Sequence, residues 1–562
     1  MFKDKVKSKQ FWSMVRESDD YSWQREELMK QYAQFASSPD IPSLKYSDFK
    51  LYYTTGNRSI YEDKYFARRQ RLNSSAILSL IYPEKEEYAV CLQDTINAIC
   101  DEYTWVLPAH HKTFPATQYS NIDLFSAETG FALSEIKFVL GDALEPFIAQ
   151  RIDDEIERRI IRPFLDCPQS WENFTHNWSA VCAGSVAVTF LYQHPELYDT
   201  IEPRISGALS AFFSSYFDDG ACREGLSYWE YGFGFFAYYA QLLCEITEGR
   251  KNLFDDAKVK TIASFPQKAY LTDKITLSFA DGSSQSKMSL GLIHMLKTIY
   301  PDDVELLPFE CMRYDDHCAR WCHQIRSFVF YNHDYTKQSF NNNAEYYLAD
   351  SAWYVKKTPH YSVAVKAGDN DEPHNHNDVG SFIVAKDSSQ LLCDLGAGEY
   401  TKKYFSDDRY DILCNSSFGH CVPIINGKGQ SVGKEFLGIM NTPMENVVTV
   451  DMKSAYDEPT LKKLVRSFKM NDNSILITDA FDFMSEGEYI SRLVSLIEPH
   501  IENGVVKIGE LTIAYDNNLW SLSVTEAIHT THVAPVDVPV YLLDFSPSQK
   551  LSQFNLKLKF DE

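Results

Sequence analysis

From about residue 75 to residue 300, apolar positions recur every three to four residues in segments broken by Pro, Gly and Asp, the spacing of helices that bury one face. The segments run Ala76 to Tyr82, Tyr88 to Tyr103, Ala127 to Ile148, Asp153 to Phe164, Asn177 to Tyr192, Ile205 to Tyr216, Tyr228 to Ile246 and Met288 to Tyr300. Short loops between them predict antiparallel helical hairpins stacked as a bundle, solenoid or ring. Around Tyr331-Asn332-His333-Asp334-Tyr335 and Asn341-Asn342-Asn343 the chain turns polar, and beyond it the period drops to two. Short alternating runs follow: Tyr361 to Ala367, Gly380 to Ala385, Gln390 to Leu395, Val447 to Met452, Ser474 to Phe481 and Trp520 to Val524. The pattern predicts two domains, a helical one over residues 1–335 and an antiparallel β-sandwich, or a pair of stacked sheets, over residues 336–562.

Composition supports a folded chain and narrows its partners. At 562 residues the chain exceeds what one core serves, and 44% hydrophobic content with 14% aromatics excludes a disordered protein. The net charge of −24, without a Lys/Arg-rich run, argues against nucleic acid, although a local Arg, Lys and His cluster can still bind an acidic sugar. No apolar stretch follows the basic N-terminus, and none reaches the roughly eighteen residues of a membrane span. As written, the chain reads as cytoplasmic, or as periplasmic or secreted if a leader has been removed. The 12 cysteines lack CxxC pairing and read as reduced, mostly buried thiols.

One stretch concentrates chemistry: Glu372-Pro373-His374-Asn375-His376-Asn377-Asp378-Val379-Gly380-Ser381-Phe382. If the strand signalled by residues 381–385 extends back, His374, His376 and Asp378 share one face; on a helix the two histidines would point to nearly opposite sides. Two segments of the helical half also place polar groups at helix entrances, Thr175 to Cys182 and Asp218 to Gly232. Asn177 there is either an N-cap or a functional amide. Tyr228 and Tyr231, three apart, share a helix face and read either as core or as chemistry.

Taken together these residues resemble the heparinase II/III-like polysaccharide lyases. The match is carried by His176-Asn177-Trp178, Glu224-Gly225 through Tyr228 and Tyr231-Gly232, the His374 to Phe382 stretch, Cys393-Asp394-Leu395-Gly396, and Ser416-Ser417-Phe418-Gly419-His420 with Pro423-Ile424-Ile425-Asn426-Gly427. Trp105 to His110 and Asp123 to Thr129 resemble the family's helical region as well, so the likeness runs from about residue 100 to 430. The resemblance implies an N-terminal (α/α) toroid, a C-terminal antiparallel β-sheet domain, and cleavage of a uronate glycan by β-elimination.

That reaction needs a group to hold the uronate carboxylate, a base for the C5 proton and an acid for the departing oxygen. By resemblance Asn177, with His176 beside it, takes the first role, His374 is the base, and Tyr228 the acid with Tyr231 in reserve. Tyrosine can also serve as base and acid in turn, and the sequence leaves that open. His110, Glu128, Glu224 and Arg409 are candidate substrate-binding residues, with helix-end packing or bracing as the alternative for His110, Glu128 and Arg409. For His376, Asp394 and His420 the resemblance implies a divalent metal, zinc first, in a structural or site-organising role. A hairpin about Asp387-Ser388-Ser389 sets Asp394 opposite residue 381 or 382, so the chain must bend near Gly380 for His376 to share an ion with it.

The expected substrate is a glycosaminoglycan such as heparan sulfate, hyaluronan or chondroitin, and the expected partner an acidic polysaccharide or oligosaccharide, with self-association open and no nucleic acid or membrane. Alternatives are an alginate-type or other glucuronate-glycan lyase, a metal-dependent glycan hydrolase, and a sugar-binding protein that has lost activity.

Overall fold

Asp123 starts one of the central helices. Its carboxylate accepts from the Ser126 amide at 2.8 Å while the Ser126 hydroxyl accepts from the Asp123 amide, closing a capping box ahead of Leu124–Leu140. The next long helix, Asn177–Gln193, is apolar on all sides, with Ala180, Val181, Cys182, Ala183, Val186, Ala187, Val188 and Phe190 fully buried. A helix of that composition belongs inside a core, where each large aliphatic or aromatic side chain contributes about 1.5–3 kcal/mol. The structure, a computed structural model, describes residues 2–36, 40–111, 121–313, 316–502, 504–532 and 535–560.

The described chain falls into two compact units. The first comprises Met1–Ser215, Trp229–Lys260 and Lys287–Gln338, and the second Tyr216–Tyr228, Thr261–Ser286 and Ser339–Glu562. Helices fill the first. They extend beyond the window that periodicity marked, to Lys9–Glu17, Ser22–Ala36, Ser59–Ile81 and Trp321–Val329. In Ser59–Ile81 the buried face carries Arg68, Arg69, Arg71 and Asn73, which hides the apolar period. Arg69 is satisfied there by two hydrogen bonds to Glu102, at 2.6 and 2.8 Å. The expected helix Asp153 to Phe164 is a composite: Pro146–Ile156, a π-turn Glu157–Ile161, then Arg162–Asp166. Pro163 has no amide to return to the preceding turn, and the widened turn accommodates it. At the centre of this unit Arg326 grips Glu135 through two bonds of 2.9 Å, and Trp321 and Tyr192 also donate to that carboxylate.

All strands of the described residues lie in the second unit and pair antiparallel. A five-stranded sheet runs in the order Ala344–Leu348, Trp353–Lys357, Ser362–Lys366, Phe382–Lys386, Ser389–Leu392. A nine-stranded sheet is built around Leu461–Asn471, Ser474–Phe483 and Gln553–Phe560, and a four-stranded sheet around Asp537–Pro547 and Tyr489–Ser495. Phe382, Val384, Phe468, Ile475, Leu493 and Phe545 share one buried cluster. Three sheets therefore stand where two were expected, within the same antiparallel class. Two segments from the helical half of the sequence, 216–228 and 261–286, also belong to this unit, and each brings a residue of the site described below.

All twelve cysteines are free thiols. Among the described residues no helix is long and apolar enough to cross a membrane.

Candidate functional site

Within the second unit the side chains converge on Asp281, in the loop after Leu277. Its carboxylate takes four donors: His374 Nδ1 at 2.5 Å and Tyr400 Oη at 2.7 Å on Oδ2, Tyr404 Oη at 2.5 Å and His376 Nε2 at 3.2 Å on Oδ1. Burial alone would raise this carboxyl, but the bonds from the two histidines hold it well below the usual range. Asp281 is therefore a fixed anion that orients two histidines and two tyrosines. Asp-Gly in a polar segment reads as an ordinary turn, so no sequence signal marked Asp281, and Tyr400 and Tyr404 were likewise missed.

His374 sits in a left-handed backbone conformation, φ 57°, in a loop rather than a strand. The strand begins only at Phe382, after a bend at Gly380 with φ 85°. The expected strand face shared by His374, His376 and Asp378 is not formed: the two histidines meet on Asp281 from a loop, and Asp378 stands apart. Asp378 pairs with the buried Lys366 ammonium at 2.7 Å and supports the loop. His374 donates Nδ1–H to Asp281 and turns Nε2 toward Glu224, 3.6 Å away. Burial opposes protonation of His374, yet Asp281 outweighs it and raises its affinity for a proton.

Tyr228 stands beside this histidine, ring centroids 4.7 Å apart. Its hydroxyl is 2.7 Å from that of Tyr400. Tyr400 gives its one proton to Asp281, so Tyr228 donates to Tyr400, and a line of hydrogen bonds runs Tyr228 to Tyr400 to Asp281. Burial raises the Tyr228 hydroxyl well above its ordinary pKa, keeping it a neutral proton donor at rest. Glu224 is buried and its carboxyl raised for the same reason, with His374 partly opposing. Arg409 lies in the short turn Asp407–Asp411, its guanidinium carbon 5.3 Å from the Tyr404 ring centroid.

His376, Asp394 and His420 are all buried, and one ligand atom from each lies within 4.8 Å of the others. The cluster could hold a metal ion, and its hydrogen bonding fits one. His420 Nε2–H donates to the Cys414 carbonyl at 2.7 Å, which turns the Nδ1 lone pair toward Asp394 Oδ2, 3.0 Å away. His376 gives Nε2–H to Asp281 and leaves Nδ1 buried without a partner. Two inward lone pairs facing one carboxylate oxygen form a donor set for a divalent cation, with Asp281 and Cys414 fixing the rings from behind.

The remaining candidates lie in the first unit. Asn177 is the first residue of its helix, and His176, not Asn177, occupies the N-cap position, without a side-chain cap bond. Asn177 is buried, and Gly232 lies against it: a β-carbon at position 232 would meet the Asn177 Cβ at 3.3 Å and the Phe212 ring at 2.8 Å. The glycine of the Tyr231-Gly232 pair thus makes room for Asn177. His176 stacks on Phe174, with centroids 4.8 Å apart. His110 bonds Asp123 at 2.7 Å and packs edge-on against Trp178. Tyr231 donates its hydroxyl to Glu128, which also faces Arg320 Nε at 3.3 Å. Burial pushes the Glu128 carboxyl up to about 7. The structure therefore brings Glu224, Tyr228, His374, Arg409 and the three metal candidates into one unit, and Asn177, His176, His110, Glu128 and Tyr231 into the other.

No protein-family model matches the chain, and no curated protein matches it in sequence. Solved structures do match in fold. A crystal structure of heparinase III superposes with TM-score 0.63 at 14% identity, over 90% of this chain and 77% of that one. Heparan sulfate lyase HepC from Pedobacter heparinus gives 0.59 at 13%, over 100% and 87%. Chondroitin AC lyase from Streptomyces coelicolor A3, in complex with chondroitin sulphate, gives 0.56 at 9%, over 99% and 82%. The fold is that of the heparinase-like polysaccharide lyases, an (α/α) toroid followed by antiparallel sheets.

Proposed function

We propose that this protein is a polysaccharide lyase that cleaves a uronate-containing glycan by β-elimination, leaving a 4,5-unsaturated uronate. The observation that carries the reading is the pairing of Tyr228 with His374, in ring contact and both tied to Asp281, directly or through Tyr400. A neutral phenol that donates and an imidazole whose Nε2 faces Glu224 at 3.6 Å, beyond a hydrogen bond, are the acid and base the reaction requires. His374 takes the C5 proton and Tyr228 protonates the leaving oxygen. For the epimer whose proton lies on the tyrosine side, Tyr228, once deprotonated, takes the C5 proton and passes it to the leaving oxygen, while Tyr400 and the Asp281 anion orient its hydroxyl. By resemblance alone, Asn177 with His176 beside it is the amide donor such a lyase uses to hold the uronate carboxylate, a term of about 3–4 kcal/mol. Tyr231, already donating to Glu128, is a positioning residue rather than the acid.

A glycosaminoglycan is the substrate class favoured by the named activities of the fold relatives. His376, Asp394 and His420 would hold zinc, whose charge would lock the two histidines and steady the His374 loop. Complete burial of the three ligands favours that structural role over a hydrolytic one, because a hydrolytic metal keeps a position open to water.

The test is the ultraviolet spectrum of digests of purified heparan sulfate, hyaluronan, chondroitin and alginate. At least one should gain the absorbance of a C4=C5 double bond. Chain cleavage without that chromophore would replace elimination by hydrolysis.

A further inference from the structure

Arg409 makes no ion pair among the described residues. Its backbone is fixed on both sides, the amide donating to Ser406 O at 3.1 Å and the carbonyl accepting from the Ile412 amide at 3.1 Å and from Asn415 Nδ2 at 3.2 Å. Its guanidinium stands by the Tyr404 and Tyr410 rings, at 5.3 and 5.6 Å. Tyr404 is bonded to Asp281, which is bonded to His374.

Both Nε and Nη2 of Arg409 are buried and have no hydrogen-bond partner among the described residues. In the other described arginines with an orphaned buried nitrogen, Arg69, Arg223, Arg320 and Arg326, that nitrogen is Nε alone, and each is paired with a carboxylate. Arg409 has neither a full set of acceptors nor, among the described residues, an ion pair. The nearby acids are committed elsewhere. Asp281 is filled by four donors, Glu224 faces His374, Glu372 faces Lys366 and Arg223, Asp411 pairs with Lys403, and Asp407 and Asp408 are exposed. The Nε/Nη2 edge is the side of a guanidinium that matches two oxygens of one oxyanion.

We propose that the Nε/Nη2 edge of Arg409 grips two oxygens of a single carboxylate or sulfate ester on an acidic sugar, beside the Asp281 network. This assignment rests on the glycan reading given above and makes Arg409 the residue that selects charged over neutral chains. A lysine keeps the charge but offers no parallel pair of donors, so it is a poor replacement.

The experiment measures binding of three tetrasaccharides to the full chain and to the Arg409→Lys and Arg409→Gln variants by isothermal titration calorimetry. The probes are a hyaluronan tetrasaccharide with carboxylates only, a heparan sulfate tetrasaccharide with carboxylates and sulfates, and cellotetraose with neither. The unsubstituted protein should bind an acidic probe more tightly than cellotetraose, and both variants should weaken the acidic probe by about tenfold or more. Equal losses on the two acidic probes identify the carboxylate, and a loss confined to heparan sulfate identifies the sulfate. Unchanged affinity in both variants, a preference for cellotetraose, or no acidic binding at all would overturn the proposal. Melting curves of the variants guard against misfolding, and loss on Arg409→Lys with an unaltered melt excludes a purely structural effect. Product absorbance separates the two readings. Arg409-dependent binding without an unsaturated product leaves the grip and removes the lyase, whereas product formed with unchanged KM in both variants does the reverse.

Discussion

The hydrogen bond between Tyr228 and Tyr400, 2.7 Å long, has a direction: Tyr400 spends its proton on Asp281, so Tyr228 is the donor. The proton that Tyr228 would deliver to a leaving group therefore points, at rest, away from solvent and along a line ending on an anion. Substrate must draw that hydroxyl off Tyr400 for it to act as an acid.

Tyr228→Phe removes the donor and little else. Turnover should fall about 100-fold or more, the range of general acid–base catalysis, with the melting temperature nearly unchanged. Steady-state rates on whichever glycan proves to be a substrate check this, and near-normal turnover would move the role to another residue.

Tyr400→Phe deprives Tyr228 of its acceptor and Asp281 of one of four donors. A smaller loss, about tenfold in kcat with KM little changed, is expected if Tyr400 acts only through Tyr228. Equal falls from Tyr228→Phe and Tyr400→Phe would mean that the pair works as a unit.

Chelation should lower the melting temperature and release one equivalent of metal, measured by emission spectroscopy, because His376, Asp394 and His420 face each other inside the core. An unchanged melt together with full activity would show that hydrogen bonds alone hold the three residues.

Glu230 gives a pH signature. Burial pushes its carboxyl up to about 7, against the ordinary 4.5, while the Ser289 amide donates to it. A folded-state pKa above the unfolded one means the folded chain holds the proton longer. The associated stability is complete below about 4.5 and lost as pH rises through about 7. Denaturation free energy from pH 5 to 8 should therefore fall less steeply in Glu230→Gln, whose amide oxygen still accepts from Ser289; parallel curves would contradict the assignment.

The fully buried pair Arg326 and Glu135 predicts a large structural effect. Arg326→Met strands the carboxylate with only Trp321 and Tyr192 as donors and should cost about 3–5 kcal/mol in chemical denaturation. A cost below about 1 kcal/mol would mean that those two neutral donors suffice.

What could be read from the chain follows from where the physics is local. The period of 3.6 in Glu86–Cys100, which buries Tyr88, Cys91, Leu92, Thr95, Ile96 and Ile99, and of two in Ser474–Phe483 is a property of neighbouring residues, so helical and strand halves were visible. The buried arginines of Ser59–Ile81 broke that period, because their partners, Glu102 for Arg68 and Arg69 and Thr95 for Arg71, lie outside the helix, and the helix was only partly seen. His374 and His376 were conspicuous as a pair and do meet on Asp281, but the strand face they were to share with Asp378 is absent: a loop with His374 at φ 57° follows no strand alternation. Asp281 was invisible because its four donors come from 93 to 123 residues away. A carboxylate in a turn acquires a function only when the fold delivers its partners.

That separation has a consequence for synthesis. The first unit is interrupted twice by segments of the second, and Asp281 leaves the ribosome well before Tyr404, the last of its donors. At about 5–20 residues per second the interval is roughly 6–25 s, during which the nascent chain carries a carboxylate whose partners do not yet exist. The helical core of residues 1–215 can begin to condense in that time, while Tyr228 and Asp281 wait for the strands. A translational pause shortly after residue 286 should therefore expose these two segments to proteases, and a chain ending before residue 404 should lack the site altogether.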